Sequence, residues 1–191
     1  MPPEQSMPQP KKRNPYWEIS KFVFAVLIIV TPVRWFIAQP FLVSGASMVP
    51  TIDANEYLVV DKVSYHFHEP ERGDIVIFQY PLDTSIYFIK RVIGLPGETV
   101  IVHNGGVVVR GVDGSVRQLN EKYVVNAENM KKEMSTTTLA ADEFFLMGDN
   151  RDASSDSRSW GPLPRKYMIG RALVSLYPLK DFGLFPGKEN P

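Results

Sequence analysis

The sequence predicts a mainly β protein: one N-terminal transmembrane helix, then a β-rich domain that includes consecutive hairpins. Three observations predict it. A single long apolar run, Phe22 to Ala38, stands near the N-terminus. After Pro40 the texture changes to short β-branched runs bounded by turn residues. Two glycine-bearing turns, Asn104-Gly105-Gly106 and Asp113-Gly114, then fall close enough together to fold Val100 to Leu119 into consecutive hairpins.

Residues 1–15 contain prolines and the basic cluster Lys11, Lys12, Arg13 but almost nothing that could build a core, and read as a disordered cytoplasmic tail. Residues 16–38 read as a single span. Its apolar part would make roughly 25 Å of helix, slightly short of a bilayer core, which snorkelling Lys21 and Arg34 can lengthen. Tyr16, Trp17 and Trp35 sit where interfacial aromatics belong. The positive-inside rule puts the basic cluster in the cytoplasm and everything after Ala38 on the far side of the plasma membrane. A cleaved leader is the competing reading, but Ile37-Ala38-Gln39-Pro40 would place proline just after the cut.

Residues 39–180 form the expected β domain, with strands over Tyr57 to Val60, Asp74 to Phe78, Ile86 to Ile93, Thr99 to Val102, Val107 to Arg110 and Glu143 to Met147. Asn126 to Thr138 lacks any period and reads as an exposed loop. Residues 181–191 form a C-terminal tail too short to span, which would either rest on the membrane surface or pack against the domain. His66 and His68 alternate around Phe67 and read as an exposed strand.

Formal net charge is zero, which argues against a nucleic-acid binder. The chain has no cysteine, so disulfides, thiolate metal sites and thiol nucleophiles are excluded. Its three histidines show no metalloprotease spacing, and neither a metal nor a cofactor is implied.

Three clusters carry chemistry. The first, Val43-Ser44-Gly45-Ala46-Ser47-Met48-Val49-Pro50-Thr51, offers Ser47 as a nucleophile, but a neutral hydroxyl needs a base and no histidine is near. In the second, Ile86 to Glu98, strand alternation puts Lys90 and Arg91 on opposite faces, Lys90 on the side of Phe88 and Val92. A lysine among apolar side chains loses hydration, so its charged form is penalised and it can act as a base near neutral pH. The third, Gly148 to Gly161, is dense in Asp, Asn, Ser and Arg. It could hold calcium, although the spacing departs from an EF-hand and Arg151 and Arg158 would repel a cation; the other reading is structural support for the base.

Four motifs stand in order: Gly45-x-Ser47-Met48-x-Pro50-Thr51, Arg72-Gly73-Asp74-Ile75-Val76-x-Phe78, Lys90-Arg91-Val92-Ile93-Gly94-x-Pro96-Gly97, and Gly148-Asp149-Asn150-Arg151-Asp152-x-Ser154-x-Asp156-Ser157-Arg158. Together they resemble the bacterial type I signal peptidases, Ser/Lys serine proteases, and the resemblance implies an antiparallel β catalytic domain with a smaller β insertion, residues 99–140, which matches the hairpins read above. The resemblance implies that Ser47 is the nucleophile, Lys90 the general base, and Ser154 the hydroxyl that positions the lysine amine. It implies scaffold pairs Asp149 with Arg91 and Asp156 with Arg158, and apolar pockets for small residues lined by Phe41, Val43, Phe88 and Ile89. Gly45 stands where some members have a serine that adds a hydroxyl to the oxyanion hole. The implied partners are preproteins bearing signal peptides, the lipid bilayer and the protein-export translocon. A cytosolic self-cleaving repressor peptidase and an inactive membrane-tethered β module that binds envelope peptides are the rivals. The apolar span argues against the first, and the presence of Ser47, Lys90 and Ser154 against the second.

Overall fold

The structure is a computed structural model that describes residues 15–32, 38–125, 134–178 and 182–187. The basic cluster at residues 11–13 and most of the expected tail, residues 1–15, lie outside these residues. The chain divides into two compact units, Met1–Phe36 and Ile37–Pro191.

In the first unit, helix α1 runs over Pro15–Pro32. Proline opens it because a first-turn residue needs no intrahelical N–H donor. The apolar residues Phe22, Phe24, Leu27 and Ile28 are all exposed. The expected span over residues 16–38 is corrected here. The first turns hold Glu18, Ser20 and Lys21, the helix as described ends at Pro32, and Ala38 already belongs to a strand. Among the described residues no helix is long and apolar enough to cross a membrane.

In the second unit the main sheet joins β1 (Ala38–Leu42), β2 (Tyr57–Asp61), β3 (Ile75–Tyr80) and β4 (Asp83–Gly94). A second sheet contains β5 (Thr99–His103), β6 (Gly106–Arg110), β7 (Val116–Gln118) and β8 (Ser135–Thr138). The chain then returns to the main sheet with β9 (Glu143–Met147), the short helix α2 (Ser157–Trp160), β10 (Leu163–Pro164), β11 (Met168–Tyr177) and β12 (Gly183–Leu184). The main sheet runs β1-β2-β11-β3-β4-β9-β10 with β12 on β11, and the second β7-β6-β5-β8. All these pairings are antiparallel.

Period-two patterning builds the second sheet: Val100, Val102, Val107 and Val109 are buried while the residues between them are less so. Asn104 and Gly105 both take positive φ, the geometry of a two-residue hairpin turn. This valine face packs with Ile93, Phe145 and Met147 of the main sheet in one cluster. A second cluster, around Val43, Met48, Ile52, Leu58, Ile75 and Ile77, underlies the turn that follows β1. A third gathers Val76, Phe78, Val92, Phe144 and Leu146. Strand β4 is central: Ile89 packs against the second cluster, Phe88 and Val92 join the third, and Ile93 the first.

Two readings change, and a third, left open between the membrane surface and the domain, is decided. Residues 135–138 of the expected loop form β8, paired through their backbone from Ser135↔Val102 to Thr138↔Thr99, while 126–133 lie outside the described residues. In the tail, β12 pairs with β11 through Val174↔Leu184, so this segment packs on the domain. His66 ends a 3₁₀ turn, Ser64–His66, in place of the expected strand, because Asp61 accepts from the Val63 and Ser64 N–H groups and winds the chain up.

Candidate active site

Ser47 sits in the turn between β1 and β2. That turn is fastened at its base by Val43 N–H to Glu56 O at 2.9 Å and Asn55 N–H to Val43 O at 2.9 Å. Met48 and Ile52 anchor it from beneath in the apolar core. The β9 to α2 loop closes over it, with the Asn150 N–H donating to Ser47 O at 3.0 Å and the Asn150 amide to Ala46 O at 3.1 Å. Gly148 is required at this closure, because a Cβ there would lie 2.5 Å from Ser47 O and 2.6 Å from Ser154 Cβ.

Lys90 reaches the turn from β4. Its Nζ donates to Ser47 Oγ at 2.8 Å and to Ile89 O at 2.8 Å, and stands 5.3 Å from the centre of the Phe88 ring. Only 3% of the residue is exposed. Burial lowers its pKa to about 8; Asp156 and Asp149 pull the other way without cancelling the desolvation. A lysine so placed holds a substantial neutral fraction near neutral pH, the form able to accept the Ser47 proton.

On the opposite face of β4, Arg91 is fully buried and makes four hydrogen bonds. Its Nε and Nη2 meet Asp149 Oδ1 and Oδ2 at 2.8 and 2.6 Å, a bidentate contact. Nη1 donates to Gly73 O and Gly187 O, and the guanidinium lies 3.9 Å over the Tyr123 ring. Thr51 donates to Asp149 Oδ2 at 2.5 Å, so the loop bearing the nucleophile is tied to this pair. Asp156 caps α2 and takes a bidentate contact from Arg158, both bonds at 2.8 Å. Burial pushes its carboxyl pKa up, but Arg158 and the Gly148 N–H outweigh that and the net shift is downward. Asp156 therefore stays a carboxylate that holds the loop closed.

The structure thus brings together Ser47 with Lys90, Asp149 with Arg91 and Asp156 with Arg158. Ser154 Oγ is buried against Gly148, beside the Asp156 carboxylate, and no hydrogen bond joins it to the lysine amine. Lys90 has satisfied its reach with Ser47 and the Ile89 carbonyl instead. Gly45 has φ +91° and open space where a side chain would stand.

A cleft of about 280 Å³ opens beside the pair. Phe41, Val43, Phe88 and Ile89 line it together with Gly45, and so do Leu58, Ile77, Tyr87, Ala153 and Ser155, to which sequence reasoning gave no such role. Leu58 and Ile77 could have been found from strand alternation. Arg151, paired with Glu121 at 2.6 Å, had no local signal, because its partner comes from the segment after β7. Among the described residues no group of three or more His, Asp or Glu could hold a metal ion.

A family model for "signal peptidase, peptidase S26" matches residues 16–177. The chain belongs to the signal peptidase I family. A signal peptidase I of Leptolyngbya laminosa is 37% identical over 189 residues, covering 95% of this chain and 90% of the relative. The signal peptidase I of Pseudomonas aeruginosa is 34% identical, over 82% of this chain and 71% of its own. That of Bacillus amyloliquefaciens is 33% identical over 90% of each. The chain is accordingly a hydrolase, a peptidase of the signal peptidase I family.

Proposed function

We propose that the enzyme cleaves preproteins through an acyl-enzyme intermediate on Ser47, with Lys90 as general base. The observation that carries this reading is the 2.8 Å contact between Ser47 Oγ and a buried lysine amine with a lowered pKa. Neutral Lys90 takes the Ser47 proton as Oγ bonds to the scissile carbonyl carbon. The C–N bond then breaks, and the Lys90 ammonium returns the proton to the departing amine. A water, deprotonated by the same amine, next attacks the ester and frees Ser47. The Ile89 carbonyl holds the amine in line throughout.

The cleft supports a preference for small residues, as in Ala-x-Ala sites. Val43, Ile89 and Leu58 leave room for methyl-sized side chains, and their apolar surfaces would strip water from a charged one without replacing its hydrogen bonds. Extended substrate backbone has an edge to pair with: β9 covers β4 only from Arg91 to Gly94, leaving Ile86 to Ile89 unpaired by it. Membrane attachment through α1 is supported by its exposed apolar residues. The Lys11-Lys12-Arg13 cluster would orient the β domain extracytoplasmically if the segment ahead of Ala38 crosses the bilayer. Such a domain would meet preproteins as they leave the translocon.

Cleavage of a purified preprotein in detergent by wild type and Ser47→Ala tests the reading. The variant is expected to lose at least about a thousandfold in kcat/KM while keeping its circular dichroism. A folded Ser47→Ala enzyme that cleaves normally would refute it.

A further inference from the structure

We infer that Asn150 is a positioning residue for the oxyanion hole, its side-chain amide fixing the Ala46–Ser47 peptide so that the Ser47 N–H faces the scissile carbonyl oxygen. The inference rests on the Ser47/Lys90 reading. Asn150 grips two successive carbonyls of the nucleophile turn, Ala46 O through Nδ2 at 3.1 Å and Ser47 O through its own N–H at 3.0 Å. A trans peptide is planar, with its C=O and N–H pointing in opposite directions. Fixing Ala46 O therefore fixes the Ser47 N–H on the side away from Asn150.

That N–H donates to no described residue, and Gly45, Ala46 and Ser47 all line the cleft. A carbonyl carbon bonded to Ser47 Oγ holds its oxygen within reach of the same residue's N–H. Gly45 has no side chain with which to add a donor, so stabilisation of the oxyanion depends heavily on how this one amide is aimed. The only other backbone donor to Ala46 O in the turn is the Val49 N–H, at a longer 3.3 Å. Losing the Asn150 amide should thus loosen the peptide without freeing it entirely. Complete removal of an oxyanion donor costs about 10² to 10³ in kcat, and a loosened one is expected to cost about 10- to 100-fold.

The test compares wild type, Asn150→Ala, Asn150→Asp and Ser47→Ala on a preprotein, with a peptide boronate as the probe of the tetrahedral state. Asn150→Asp keeps the size but turns an oxygen toward Ala46 O. In both Asn150 variants kcat should fall by about 10- to 100-fold with KM within about twofold, and boronate affinity should fall by the same factor as kcat. The pH limb set by Lys90 should stay in place in Asn150→Ala, which a general loosening of the site would not allow. A folded variant with wild-type kcat, or one with lowered kcat and unchanged boronate affinity, would overturn the inference. So would failure of both variants to fold, which would make Asn150 a residue of the fold. Wild-type cleavage by Ser47→Ala would instead remove the reading beneath it. An inactive Ser47→Ala beside unimpaired Asn150 variants would remove only the role of Asn150.

Discussion

On one face of β4, Lys90 lies against the Phe88 ring with its amine on Ser47 and the Ile89 backbone carbonyl, no carboxylate is in hydrogen-bond contact, and burial holds its pKa down to about 8. On the other face its neighbour Arg91 is as deeply buried, yet Asp149, two carbonyls and the Tyr123 ring receive its charge. Arginine keeps its proton at any working pH, so a buried guanidinium has to be paired. Lysine can shed its proton, so a buried amine can be left unpaired and become a base. Adjacent cations in one strand therefore do opposite work, and strand alternation alone separates their surroundings.

The largest effect should come from erasing the contrast. Lys90→Arg places a permanent charge where a neutral amine is needed, and kcat/KM should fall at least about a thousandfold with folding intact by circular dichroism. Substantial activity in that variant would break the comparison. The next effect is on the Arg91 side: Asp149→Ala leaves a buried guanidinium facing no carboxylate and should destabilise the fold by about 3–5 kcal/mol in urea titration. A loss below about 1 kcal/mol would mean that the carbonyls and Tyr123 suffice.

The smallest effect has the opposite sign. The Lys90 pKa falls from 10.5 unfolded to about 8 folded, so the native state resists protonation, and at pH 7 this costs about 3 kcal/mol of stability. The cost is full below pH 8 and disappears as pH rises toward 10.5. Lys90→Met should therefore be inactive but more stable than wild type by about 1–3 kcal/mol at pH 7, with the gain shrinking at pH 10. Equal stabilities at pH 7 would show that the amine is better solvated than its 3% exposure indicates.

Much of this arrangement was legible in the sequence. The alternation of Phe88, Lys90 and Val92 against Ile89 and Arg91 sufficed to place the two cations on opposite sides. What escaped has physical reasons. Strand β8 is Ser135-Thr136-Thr137-Thr138, whose side chains carry no apolar period and which is held by backbone pairing to β5. β12 is two residues long, too short for any pattern. Glu121 and Arg151 meet only after the second sheet has brought the chain back, and Tyr123 reaches Arg91 by the same route. Ser154 lies against Gly148 and Asp156 while the Lys90 amine is bonded to Ser47 and the Ile89 carbonyl, an arrangement of the loop that no local pattern encodes.

Arg91 also donates to the carbonyl of Gly187, which lies so close that a Cβ there would meet Thr51 Cγ2 and approach the guanidinium to 3.3 Å. The support beneath the nucleophile turn is thus finished by a residue made almost a hundred positions after the base. Substituting or trimming this segment would leave a buried guanidinium donor without its acceptor directly beneath the loop that carries the nucleophile, so a short stretch of backbone far from Ser47 in sequence helps to hold the turn in place.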